Sequence, residues 1–277
     1  MGLFINMYCS FFELTAKPFT ASPDPRFLYL SRCHEEALRA IICAINDRLG
    51  LISVTGEVGT GKTTVLHSAL NWLSSNTRTA FVQNYALEFE DILILILSEL
   101  KIATLDEKSS KIVALEKLKQ FAMEQFQFGG TVAIIVDEAQ NLSKEDLENV
   151  RLLSNLETPS DKLLQIILSG QPELDRKLED PALRQLKQRL FRRFHIHALD
   201  PEETHEYINH RLKLAGGKNG FVLSKTITDE IWLYTEGVPR KINILCGNAL
   251  RIAFERKTRV LDPTIVLTAA SELNWQP

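Results

Sequence analysis

The chain has 277 residues, 45% hydrophobic and 24% charged. That is enough to bury a sizeable core without disulfides or structural metal, and it excludes disorder, collagen and a small disulfide scaffold. The net charge of −3 conceals an asymmetry, with −8 over residues 1–180 and +7 over residues 181–260; a basic segment can meet an anion, but total charge does not by itself define a nucleic-acid protein.

Residues 8–30 are rich in aromatics, and Pro18, Pro23 and Pro25 favour an extended, turning segment over a long helix. Ala37, Leu38, Ile41, Ile42 and Ile45 recur at helical spacing and predict a helix over 34–48. LISVT at 51–55 predicts a short buried strand, followed by a glycine-rich turn and a helix through Leu73. A second strand is expected at 79–84 and helices at 90–101 and 110–128, the latter stopped by Gly129-Gly130. VAIIVDE at 132–138 is apolar without alternation, as in a parallel sheet covered on both faces. A helix over 144–156 is capped by Ser143, with Glu145 and Asp146 in its first turn. Strands follow at 163–169 and 193–199, and from Pro201 the pattern is helical only, over 202–215, 225–235, 239–256 and 263–273. Strands alternating with helices predict a doubly wound α/β domain over 1–199, with an all-helical domain over 200–277.

No run approaches the ~18–20 apolar residues that span a membrane; ILILIL at 92–97 is short and flanked by Asp91 and Glu99. The N-terminus lacks the basic start and cleavage site of a secretory signal. Cys9, Cys33, Cys43 and Cys246 show no CxxC spacing, so the expectation is a cytoplasmic protein with reduced thiols. His195, His197, His205 and His210 have no partner pattern that would make a metal site.

GEVGTGKT at 56–63 matches G-x-x-x-x-G-K-[ST] between a strand and a helix. Gly56, Gly59 and Gly61 let the backbone curl so that successive N–H groups face phosphate oxygens, and the following helix adds the positive end of its dipole. Lys62 would reach the β- and γ-phosphates, Thr63 would ligate Mg²⁺ and Thr64 would support the α-phosphate side. Asp137-Glu138 ends a buried strand 75 residues after Lys62, at the edge where open α/β sheets bind ligands. Asp137 would hold Mg²⁺ in its second shell, and Glu138 would polarise the attacking water. Ser169 or Gln171, after strand four, would place a polar group between loop and acids. Asn84, ending strand two, would gate Glu138. Arg189, Arg192 and Arg193 cluster before strand five, and Gly237 and Pro239 aim Arg240 at a helix start. Arginines so placed stabilise a developing γ-phosphate charge.

The phosphate loop, DEAQ, GQPEL and GVPRKIN together resemble an AAA+ ATPase. More narrowly, FFELTAKPFTASPDPRFLYLSRCHEEAL is similar to the opening signature of the ExeA-like general secretion pathway A family, whose relatives act in pilus assembly and exopolysaccharide export. The resemblance covers about residues 7–273, which makes Met7 a candidate start. It implies a P-loop AAA+ core with a five-stranded parallel sheet and a C-terminal helical lid. It makes Gly56, Glu57, Val58, Gly59, Thr60, Gly61, Lys62, Thr63 and Thr64 the Walker A loop, and Asp137-Glu138 Walker B. Gln171 takes the sensor-1 position, Arg240 sensor 2, and Arg189 the arginine finger, with Arg192 and Arg193 as alternatives. The Pro-Asp-Pro segment around Phe27 would cover the base. ATP and Mg²⁺ are the implied cofactors. Larger members continue into a membrane span and a periplasmic part, so the expectation is either a portion of a longer chain or a short cytoplasmic member at the inner face of the inner membrane.

The first functional reading is an ATP-driven assembly factor for a secretion, pilus or export apparatus, self-associating into a nucleotide-dependent ring and acting on an envelope protein. The alternative is a DNA-binding transposition helper of the MuB or TniB kind, whose ring would follow a phosphate backbone with basic residues. Glu88, Glu90, Asp91 and Glu99, with no Lys or Arg among them, disfavour a DNA channel after strand two. A small-molecule kinase leaves the helical domain and its GVPR turn unexplained.

Overall fold

The computed structural model describes residues 8–20, 24–83, 87–104, 110–216 and 221–276. Two compact units emerge, one of residues 32–196 and one that joins residues before 32 to those after 196.

The first unit is a five-stranded parallel sheet between helices. Its strands are β1 (Leu51–Gly56), β2 (Thr77–Gln83), β3 (Thr131–Asp137), β4 (Leu164–Gly170) and β5 (Leu190–Ile196), in spatial order β2-β3-β4-β1-β5. β1 and β4 are buried at every position, because helices cover both faces and the strands need no polar side. Register pairs Ile134 with Ile166 and Ile52 with Ile167. The edge strand β2 alternates in burial, as a half-covered strand must.

Helices α1 (Arg32–Asn46), α2 (Lys62–Trp72), α3 (Phe89–Glu99), α4 (Lys111–Gln127) and α5 (Lys144–Leu153) flank the sheet. On one face Phe89, Ile92, Leu93 and Ile96 of α3 pack with Leu118 of α4 and the β2, β3 and β4 side chains. α5 starts at a reciprocal capping box. Ser143 Oγ accepts from Asp146 N at 3.0 Å, and Asp146 Oδ2 accepts from Ser143 N at 3.0 Å. Two short helices unread in the sequence, α6 (Pro172–Leu178) and α7 (Arg184–Arg189), fill the connection from β4 to β5. β5 begins at Leu190, three residues before its expected start at 193. It ends at Ile196, and Leu199 N donates instead to Gly237 O at 2.9 Å.

The second unit contains α8 (Pro201–Leu214), α9 (Lys225–Thr235), α10 (Pro239–Glu255) and α11 (Pro263–Glu272) around Ile208, Leu212, Ile242, Leu245 and Leu250. The division differs from the expected one at its N-terminal end, since residues 8–20 and 24–31 group with these helices. The physical reason is a buried arginine. Arg211 of α8 donates to Pro18 O at 2.6 Å and to Tyr207 Oη at 3.0 Å, and its guanidinium lies 5.0 Å from the Phe27 ring centroid. Thr15 N and Oγ1 both donate to Ala215 O, at 2.7 and 2.8 Å. Among the described residues no helix is long and apolar enough to cross a membrane.

Candidate active site

The loop between β1 and α2 is shaped by backbone that only glycine adopts without strain. Gly59 and Gly61 have φ of +85° and +100°, and Gly61 is the N-cap of α2. At Gly56 a Cβ would come within 2.5 Å of Ile196 O, so β5 can approach only a glycine. The turn is closed by Thr60 Oγ1 donating to Glu57 O at 2.9 Å. Lys62 is almost fully buried, and its Nζ donates to Gly56 O at 2.8 Å and Glu57 O at 2.9 Å. Burial pushes the Lys62 amine below the usual lysine range, opposed by the charges of Glu138, Asp137 and Glu57. Val58 stands exposed at the tip of the loop. Thr64 follows Thr63 on the first turn of α2, and its carbonyl accepts from Ser68 Oγ at 2.8 Å.

At the C-terminal end of β3 the carboxylate of Asp137 is fully buried and saturated with donors. Ser169 Oγ donates to Oδ1 at 2.7 Å, Glu138 N to Oδ1 at 3.0 Å, and Thr63 Oγ1 to Oδ2 at 2.8 Å. Three neighbouring elements thus converge on one carboxylate: β3, β4 and α2. Glu138 lies just past the strand in the left-handed region, at φ +55°. This conformation costs a non-glycine residue about 1–3 kcal/mol and is seen where surrounding contacts impose it. Its Oε2 accepts from Gln140 Nε2 at 2.5 Å and from Gln171 Nε2 at 3.4 Å. Lys62, Thr63, Asp137, Glu138, Ser169 and Gln171 therefore gather at one edge of the sheet.

Within the sheet unit, the arginines around the start of β5 do not join this cluster. Arg189 ends α7 immediately before β5, and the register Leu51↔Leu190 places it at the opposite end of the sheet from Gly56. Arg193 is committed to Glu179 at 2.6 Å. Arg192 is exposed, with its guanidinium 5.5 Å from the Phe194 ring. Arg240 is exposed in the first turn of α10, in the helical unit. Its turn is pinned there, since Gly237 has φ +72° and a Cβ at that position would overlap Leu199 O. Phe27, the residue expected to cover a base, has its ring packed in the core of the helical unit against Arg211, with 3% exposed. Asn84 lies outside the described residues.

Two residues at the site were not picked out from the sequence. His34 of α1 is buried, and its Nε2 lies 2.7 Å from Thr60 O, so that nitrogen carries the proton. A Cβ on Gly61 would come within 3.0 Å of the same atom. A lone histidine on an apolar helix gives no spacing signal. Gln140 stands in the DEAQ run, but nothing in the run says that its side chain turns back toward Glu138.

Comparisons with known proteins agree with this geometry. A family model described as an AAA domain matches residues 45–178. The protein "General secretion pathway protein A" of Aeromonas hydrophila is 37% identical over 97% of this chain. The chain spans about half, 49%, of that relative's length. Among solved structures, the ORC2 protein of Aeropyrum pernix, described as ADPNP-ADP complexes, superposes with a TM-score of 0.67. It is 18% identical and covers 90% of this chain and 72% of its own. Cdc6p of Pyrobaculum aerophilum gives 0.66 at 18% identity, with 91% and 71% covered. The RuvB branch migration motor of Thermotoga maritima gives 0.57 at 16%, with 88% and 70% covered. At such identities these structures speak for the fold alone. A parallel sheet in this order, a glycine-shaped loop after its first strand and a matching AAA domain define an ATPase of the AAA+ class. Within that class the chain is similar, along nearly its whole length, to General secretion pathway protein A, as its opening segment suggested.

Proposed function

We propose that this chain binds MgATP at residues 56–64, hydrolyses it through Glu138, and uses the hydrolysis to assemble or remodel a bacterial secretion, pilus or export apparatus. The observation that carries the chemical half is the single cluster in which Lys62, Thr63, Asp137 and Glu138 meet at the end of the sheet. The kinship with a general secretion pathway protein along nearly the whole chain supports the biological half.

Each residue has a derived task. The loop N–H groups and the α2 N-terminus receive phosphate oxygens. Lys62 exchanges two carbonyl partners for phosphate oxygens, a stronger charge-assisted pairing for a desolvated amine. Thr63 and Asp137 form the hard oxygen donor set that would hold Mg²⁺, Thr63 directly and Asp137 from behind it. When bound, the ion neutralises charge on the phosphate oxygens. Ser169 fixes the orientation of Asp137. Glu138 takes the proton of the attacking water. Arg240 reports the γ-phosphate to the helical unit, and Arg189 completes the site of a neighbouring subunit in an oligomer. The work is done on the cytoplasmic side, at the inner membrane through partners.

The test is made in cells lacking the chain, complemented with wild type or Lys62→Ala. The reading expects the envelope apparatus to assemble with wild type only. Normal assembly with Lys62→Ala, together with ATP-dependent and salt-sensitive DNA binding by the purified protein, would favour the transposition-helper reading instead.

A further inference from the structure

The carboxylate of Glu138 does not hold itself in place. Its left-handed backbone puts it just beyond the rigid strand, where a free side chain would sample several rotamers. Gln140, two residues on, has its amide in contact at both ends. Nε2 donates to Glu138 Oε2 at 2.5 Å, and Oε1 accepts from Gln171 N at 3.0 Å. This pattern also fixes the amide's orientation, because the carboxylate can only accept and the backbone N–H can only donate.

The surroundings are built for this contact. A Cβ on Gly170 would lie 2.7 Å from Gln140 Oε1, so the amide fits only because β4 ends in glycine. The backbone of the Gln140 turn is held from the other side by Lys177 of α6, whose Nζ donates to Gln140 O at 2.6 Å and to Leu142 O at 2.7 Å. Gln171 Nε2 adds a longer contact to the same Glu138 oxygen. Oε2 is thus engaged by two amides, and among the described residues no donor reaches Oε1.

We infer that Gln140 is a positioning residue for hydrolysis: it binds Glu138 Oε2 and the Gly170-Gln171 turn together, and so leaves Oε1 to receive the water proton. The inference rests on Glu138 being the general base. In this role the whole effect of Gln140 passes through Glu138. The same bridge makes the general base sensitive to movement of the β4 end, since any shift of Gln171 N displaces the amide that aims Glu138.

The test compares steady-state ATP hydrolysis by wild type, Gln140→Ala, Glu138→Gln and the double variant, with nucleotide affinity measured separately. Gln140→Ala should lower kcat roughly 10- to 100-fold, the scale of a misplaced catalytic group, while KM and ATP affinity stay within about twofold. In the Glu138→Gln background the Gln140→Ala change should cost nothing further, because a residue acting only through Glu138 has nothing left to act on. Gln140→Glu keeps the acceptor for Gln171 N but loses the donor to Glu138, and should lose kcat at least as much as Gln140→Ala. Gly170→Ala leaves Gln140 in place chemically and displaces it sterically, so it should reproduce the kcat loss. Unchanged kcat in Gln140→Ala, wild-type kcat in Gln140→Glu, or an equal loss in both backgrounds would overturn the role of Gln140 while leaving Glu138 as the base. Full hydrolysis by Glu138→Gln would overturn both.

Discussion

Lys62 and His34 both hold the loop after β1, one through the carbonyls of Gly56 and Glu57 and the other through that of Thr60. Lys62→Ala removes the charge the loop is built around. It should weaken ATP binding by about 10- to 150-fold, the worth of a charge-assisted bond, and abolish hydrolysis; calorimetry and phosphate release check the two effects. His34→Ala should act on the loop alone, raising the ATP dissociation constant roughly 5- to 100-fold for one lost buried hydrogen bond, with kcat at saturating ATP little changed. An unaltered dissociation constant would reduce His34 to a packing residue. Lys62 was legible in the sequence because its motif carries its own spacing, as was Asp137-Glu138 on its apolar strand. His34 was not, since 26 residues separate it from Thr60 and only the packing of α1 beside the loop brings them together. Gln140 was hidden for a similar reason: its partner is a gap left by Gly170, and an absent side chain leaves no pattern.

The helices and strands long enough to show a period were legible: the buried strands β1, β3 and β4, and the long helices around them. α6 and α7 were not, because seven and six residues complete barely two turns and give no repeat to read. The edge strand β5 was displaced because Leu199 continues its apolar pattern, while in the fold Leu199 turns away to pair with Gly237. The N-terminal segment was read as part of the ATPase domain, whereas Arg211 draws Pro18 and Phe27 into the helical unit. A buried arginine on an amphipathic helix looks in sequence like any exposed one. The Leu199–Gly237 contact carries its own prediction. Gly237→Ala forces both a positive φ and a steric overlap, so it should destabilise the helical unit by more than about 1 kcal/mol. Denaturant unfolding would show this as a lowered midpoint with an unchanged slope. Wild-type stability would mean that the turn relaxes and does not fix Arg240.

At the scale of the whole molecule, Arg189 faces the end of the sheet remote from its own loop, about 20 Å along β5 by strand rise. A residue so placed serves hydrolysis only across an interface between copies. Mixing Lys62→Ala, which keeps Arg189, with Arg189→Ala, which keeps its nucleotide site, should therefore restore more ATPase activity than either shows alone. A trans finger is worth roughly 10³–10⁵ in the best cases. No recovery, where wild type demonstrably assembles, would remove Arg189 from that role. One cluster should both bind MgATP and hydrolyse it, with separable residues for the two tasks. Nucleotide affinity and phosphate release measured side by side on wild type and Glu138→Gln test it most directly. Near wild-type affinity with release below about a tenth of the wild-type rate, as loss of a general base requires, is the predicted result, and a Glu138→Gln rate above that level would contradict it.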